Sequence, residues 1–141
     1  VSPAALDLID NHQVVLDWFG CWPSFHDGEV HRIVLDRMTR DHAGSFVPLL
    51  EVDVRGWLLQ QLPSGELDQR HDAVVSLRFE RVSHLVLEGF NHQNVITSLK
   101  LEHDGDLLVE FEHCYLFSSS FRAQKARVLK VTPWPARAIG R

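Results

Sequence analysis

Cysteine is nearly absent: Cys21 and Cys114 are the only two in 141 residues. So few thiols, placed so far apart, exclude a disulfide-dense secreted scaffold and a CxxC metal knuckle. Both are expected to be buried and reduced. Positive charge is also in short supply. Against 19 Asp and Glu stand 14 Lys and Arg, a formal net charge of −5, so there is no cationic stripe to follow a phosphate backbone and no direct nucleic-acid contact is expected. A basic partner would instead be drawn toward the chain. No apolar run approaches the ~20 residues of a spanning helix, so no membrane partner is expected. The opening Val1–Asp7 has neither the basic nor the apolar region of a secretory signal, which leads to the expectation of a cytoplasmic protein. There is no GxSxG elbow, no cysteine-protease signature and no glycine-rich phosphate loop. These absences weigh against an enzyme, and no cofactor is implied.

What remains is ordinary globular composition, 45% hydrophobic and 23% charged, without repeats, low-complexity tracts or a linker. Residues 1–141 are expected to form one domain. Ser2-Pro3 reads as a helix start, Gly20 as its stop, and Leu6, Ile9, Gln13, Leu16 and Phe19 recur at helical spacing, predicting a helix over about 3–19. A β-rich core follows over about 29–133. Leu50, Val52 and Val54 alternate with charged residues, as do Ala73, Val75, Leu77 and Phe79, and Val95, Thr97, Leu99 and Leu101. Glu29–Arg37, Leu85–Leu87, Leu107–Phe111 and Lys125–Thr132 complete the set. Asp104-Gly105 marks a hairpin. Gln60–Asp72, with Pro63-Ser64-Gly65-Glu66, reads as a loop or hairpin end, Ser118–Ser120 as a loop, and 134–141 as a short C-terminal tail. Strands at hairpin spacing, without crossover helices, predict an α+β, mostly β chain: an N-terminal helix packed on an antiparallel sheet or sandwich of about seven strands.

The chemistry-bearing residues concentrate in Trp22-Pro23-Ser24-Phe25-His26-Asp27-Gly28-Glu29-Val30-His31. On a strand Glu29 and His31 share a face, so with His26 and Asp27 they could converge on a divalent metal, the arrangement of a metal-dependent hydrolase. The structural alternative has Ser24 and Asp27 bonding backbone N–H groups in the turn while Trp22 and Phe25 plug the space between helix and sheet. A second polar block, Glu88-Gly89-Phe90-Asn91-His92-Gln93-Asn94, could read a ligand, or its amides could satisfy their own turn. A third reading makes an exposed sheet edge pair with a second copy.

Together the two blocks, Phe19-Gly20-Cys21-Trp22-Pro23-Ser24-Phe25-His26-Asp27-Gly28-Glu29-Val30 and Leu85-Val86-Leu87-Glu88-Gly89-Phe90-Asn91-His92-Gln93-Asn94-Val95, with Val75–Glu80 between them, resemble the immunity protein 50 family. The resemblance implies a bacterial immunity protein that binds and neutralises a cognate toxin of a polymorphic toxin system without catalysis. It brings no catalytic residues. Trp22, Phe25, His26, Asp27, Glu29, Asn91, His92 and Asn94 are the candidate binding or fold-defining positions, and the metal alternative rests on His26, Asp27, Glu29 and His31. The acidic balance would suit a basic toxin, a nuclease for example.

Overall fold

The computed structural model describes residues 1–135. Ser2 starts the first helix as its sequence predicts: its hydroxyl accepts the Ala5 N–H at 3.2 Å and Pro3 takes the first turn of α1, Pro3–Leu6. The predicted continuous helix does not follow. Ile9–Asp10 (β1) instead pairs parallel with Ala126 and Arg127 of the last strand. Asn11 then turns the chain at φ +63°, its side-chain amide donating to the Val128 carbonyl at 3.0 Å. A second short helix, α2 (Gln13–Phe19), ends where expected, with Gly20 at φ +78° and its N–H on the Leu16 carbonyl. Helical spacing over the whole stretch was satisfied by two separate helices because Ile9 buries as well in a strand as in a helix.

Eight further strands follow: β2 (Glu29–Asp36), β3 (Leu49–Gln61), β4 (Leu67–Glu80), β5 (Ser83–Glu88), β6 (Ile96–Asp104), β7 (Asp106–His113), β8 (Ser118–Ala123) and β9 (Lys125–Pro133). They form a five-stranded sheet in the order β1-β9-β4-β3-β2 and a four-stranded sheet in the order β5-β8-β7-β6. Every pairing but β1–β9 is antiparallel. The mostly β, antiparallel expectation holds, and two strands were missed. β1 is too short to show a period. β8 hides behind three serines, yet Phe117, Ser119, Phe121 and Ala123 alternate inward and are all buried. Ser119 is tolerated there because its hydroxyl donates to the Val86 carbonyl at 2.8 Å.

The core fills the space between the sheets. Val52, Val54, Val75, Leu77 and Phe79 come from one side and Leu101, Leu107, Val109, Phe111 and Phe121 from the other. Phe79 and Phe121 meet edge-to-face across the interface, centroids 5.0 Å apart. Each such fully buried aromatic or aliphatic side chain contributes about 1.5–3 kcal/mol. Of the two readings of Gln60–Asp72, loop or hairpin end, the structure has the hairpin end, most of it ladder. Only Leu62–Glu66 turns, with Gly65 at φ +86°, and β3 and β4 pair outward from Leu58↔Arg70 to Gln61↔Leu67. Alternation is absent there because that end of the ribbon has no sheet beneath it to cover. The two thiols are also a correction: Cys21 and Cys114 are free and exposed. Each lies just beyond a secondary-structure element, after Gly20 and after His113, where the chain turns at the surface. Of the predicted tail, 136–141 lies outside the described residues.

In the loop between β2 and β3 one carboxylate gathers three donors. Asp41 accepts the Ala43 and Ser45 N–H groups at 2.9 Å and the Arg81 guanidinium at 2.8 Å. The Ser45 N–H, then Arg81, hold its pKa below the ordinary 3.8. A depressed carboxylate adds stability that is complete above its unfolded value and lost as pH falls through the folded one. Asp41→Asn is therefore expected to flatten the acid limb of stability against pH, measured by urea unfolding from about pH 5 to about pH 2. A limb parallel to that of the wild type would contradict the assignment.

Candidate functional site

Leaving α2, the segment Trp22–Gly28 runs antiparallel to the free edge of β6 and then becomes β2. The Leu99 N–H donates to the Ser24 carbonyl, Ile96 N–H to the Gly28 carbonyl and Val30 N–H to the Asn94 carbonyl, each at 2.9 Å, and Glu29 and Val95 form an antiparallel bridge. One edge of the four-stranded sheet is thus closed by the chain that opens the five-stranded one.

Phe25 is the plug of this seam. It is fully buried, edge-to-face with Phe19 of α2 at 6.4 Å, and its ring lies over Gly56 of β3, where a Cβ would stand 2.5 Å from a ring carbon. Its φ of +58° is costly for a residue with a bulky side chain. Burial of the ring offsets that strain by about 2–3 kcal/mol. Gly28 closes the turn through its N–H on the Phe25 carbonyl at 2.8 Å, and a Cβ there would stand 2.6 Å from the Arg55 carbonyl oxygen. Trp22 packs against the core half-buried, its indole N–H enclosed without a partner. Ser24 accepts the His26 N–H at 3.3 Å as the turn chemistry predicts. Asp27 does not cap a backbone N–H, because the turn already closes through Gly28; its carboxylate lies 3.5 Å from His26 Nε2, and both side chains are more than half exposed. The other imidazole nitrogen of His26 is 3.0 Å from the Thr97 carbonyl.

The second block meets the first at this seam. The buried Asn94 accepts the Asn91 N–H at 2.8 Å through its amide oxygen and donates to the Val30 carbonyl at 3.1 Å. Asn91 accepts the Gln93 N–H and donates to the Gly89 carbonyl. These amides are spent on their own turn and on the start of β2. His92 and Gln93 are left exposed.

The proposed metal quartet does not assemble. His26 and Asp27 lie at the β6 edge. Glu29 and His31 share the outer face of the five-stranded sheet, where Glu29 pairs in register with Arg55 and the His31 ring packs at a tilt of 57° against Trp134, centroids 4.9 Å apart. A cation already sits among these groups. Arg55 makes two bonds to Asp72, at 3.0 and 2.7 Å, and lies 4.6 Å from the Trp134 ring centre and 5.2 Å from that of Trp57. The Asp72 bonds, and more weakly Glu29, raise its pKa against the opposing effect of burial. Among the described residues no three His, Cys, Asp or Glu side chains are placed to hold a metal ion. Sequence reasoning missed this arginine–tryptophan cluster. Its only signal was Arg55 and Trp57 falling on the polar side of a strand, and nothing placed Trp134 beside them.

The family model for immunity protein 50 matches residues 11–134. The chain belongs to the immunity protein 50 family. No curated protein and no solved structure matches it. Membership suggests a non-enzymatic immunity role and, in general terms, a toxin partner. In this immunity protein 50 chain the two motif blocks are neighbours in space, and their buried members, Phe25 and Asn94, are occupied in holding the sheets together. Asn94→Ala is expected to cost about 2–3 kcal/mol by stranding the Val30 carbonyl and Asn91 N–H, whereas His92→Ala should stay within about 0.5 kcal/mol. Chemical denaturation of both variants checks this; equal midpoints would refute the division of labour.

Proposed function

We propose that this protein neutralises a cognate toxin in the bacterial cytosol by binding it as a rigid folded surface, performing no reaction of its own. The observation that carries the reading is the immunity protein 50 match across residues 11–134. The site geometry agrees with it. Asn91 and Asn94 are spent on backbone, His26 and Asp27 form an exposed pair, and Arg55 lies among Glu29, Asp72 and the His31–Trp134 pair. Such a protein needs a pre-organised shape and a complementary face, because ordering on binding would reduce affinity. Two exposed free thiols fit a reducing compartment.

The partner is a toxin of a polymorphic or contact-dependent system, and the net charge of −5 favours a basic one through steered association. Co-expression with the toxin domain encoded beside this gene is expected to restore growth and to yield a stable complex by size-exclusion chromatography. Failure of both rescue and complex formation would reject the proposal.

A further inference from the structure

The charge of this chain is unevenly distributed. Residues Ser83–Ala123, which build the four-stranded sheet, hold six carboxylates and two cations, a net −4 of the total −5. Everywhere else thirteen carboxylates nearly balance twelve cations. The two sheets also differ in how their outer faces use charge. On the five-stranded sheet Arg55 pairs with Asp72, Arg78 with Glu51 at 2.8 Å and Lys125 with Asp10 at 2.8 Å, while Ser76 donates to Asp53 at 2.8 Å. A partner landing there would have to break or desolvate pairs already made. On the four-stranded sheet both cations are committed internally, Lys100 to Glu112 at 2.5 Å and Arg122 to Asp104 at 3.7 Å. Glu88, Glu102 and Glu110 have no cation partner among the described residues. Lys100 feels all of the nearby carboxylates: Glu112 first, then Glu110 and Glu102, raise its pKa.

A second observation comes from packing. β6, one margin of this sheet, is covered by Ser24–Gly28. The other margin, β5, pairs only with β8 among the described residues, which leave its other side open. Beside it Val86, Phe90, Tyr115 and Leu116 are 48%, 51%, 62% and 54% exposed. They form a patch because Gly89 lies against the Leu116 carbonyl, closely enough that a Cβ would be 2.1 Å from its oxygen, and Phe90 packs edge-on to Phe117 at 6.2 Å. Contiguous exposed apolar groups bordered by charge are the composition of a protein-binding surface. The patch joins the acidic face in register: Val86 is paired with Ser120, Ser120 with Glu110 and Glu110 with Lys100. The outer face of the sheet carries a shallow hollow of about 310 Å³ lined by His84, Lys100, Glu102, Glu110, Ser120 and Arg122.

We infer that the outer face of the four-stranded sheet, with the open β5 margin and its Phe90–Tyr115–Leu116 patch, is the docking surface for a basic face of the toxin, an inference that rests on the binding role proposed above. The unpaired carboxylates supply steering and register, and the apolar margin supplies dehydrated contact that slows dissociation. The face suits a partner that brings lysines or arginines to Glu88, Glu102 and Glu110 and an apolar groove to the β5 side.

The test uses the full chain and the toxin domain encoded beside its gene, carrying an inactivating substitution, with binding followed by surface plasmon resonance at several salt concentrations. Glu102→Lys with Glu110→Lys is expected to slow association about tenfold or more at low salt, with the difference shrinking as salt rises. Asp17→Lys with Glu66→Lys, which changes net charge equally but elsewhere, should alter it less than about twofold. Tyr115→Ala should instead raise the dissociation rate by about tenfold. Thermal melts matching the wild type establish that each variant is folded. If the wild-type chain binds the toxin and the sheet variants bind equally well, the docking surface is wrong and the immunity role stands. If the wild-type chain does not bind, the immunity role fails and this assignment falls with it. Stronger binding by the Glu102→Lys/Glu110→Lys variant would also overturn the assignment, since it would mean an acidic partner face.

Discussion

The fold depends on the seam where one chain segment belongs to both sheets. Ser24–Gly28 accepts hydrogen bonds from β6 and then becomes β2, and the buried Asn94 ties the entry to β6 onto Val30. A sandwich whose layers touched only through side chains could slide; backbone bonds at one corner fix the relative register of the two sheets. Phe25 makes the corner tight. A bulky residue held at φ +58° persists only because its ring fills the space over Gly56 beside Phe19, so local strain and tertiary packing specify one another.

That constraint explains why the richest sequence block is poor in free chemistry. Proline, glycine, aromatic and short polar residues gather between Trp22 and Val30 because the chain must leave a helix, bury a ring in a left-handed turn and enter a strand within a few residues. The same residue types compose many binding sites, which is why the block reads either way in the sequence. With the β6 margin closed here, β5 is the open margin of this sheet among the described residues, and apolar side chains beside it are exposed.

The charge pattern follows a similar division. On the five-stranded sheet several facing residues carry opposite charges in register, Glu51 opposite Arg78 and Arg32 opposite Asp53 for example. On the four-stranded sheet carboxylates outnumber cations, and the excess is exposed to solvent. Self-repulsion within such a face costs some stability, an expense consistent with a surface kept for a partner rather than for the fold.

Much of this was present in the sequence. Alternation located the strands around Val52, Val75, Leu99 and Val109; Ser2-Pro3, Gly20 and Gly105 marked ends and turns; and the antiparallel mostly β class followed from hairpin spacing. These features are local: side-chain period and backbone φ preference are properties of a few adjacent residues. Tertiary structure alone decided that Ile9 leaves the helix for a strand, that Ser119 can be buried because the Val86 carbonyl accepts its hydrogen bond, that Cys21 and Cys114 face outward, and that His26 and Glu29 part company onto different surfaces. Apart from the thiols, which sit at surface turns, each of those outcomes depends on a partner distant in sequence, such as Ala126, Val86, Thr97 or Arg55, and no periodicity in a short window carries the identity of a distant partner.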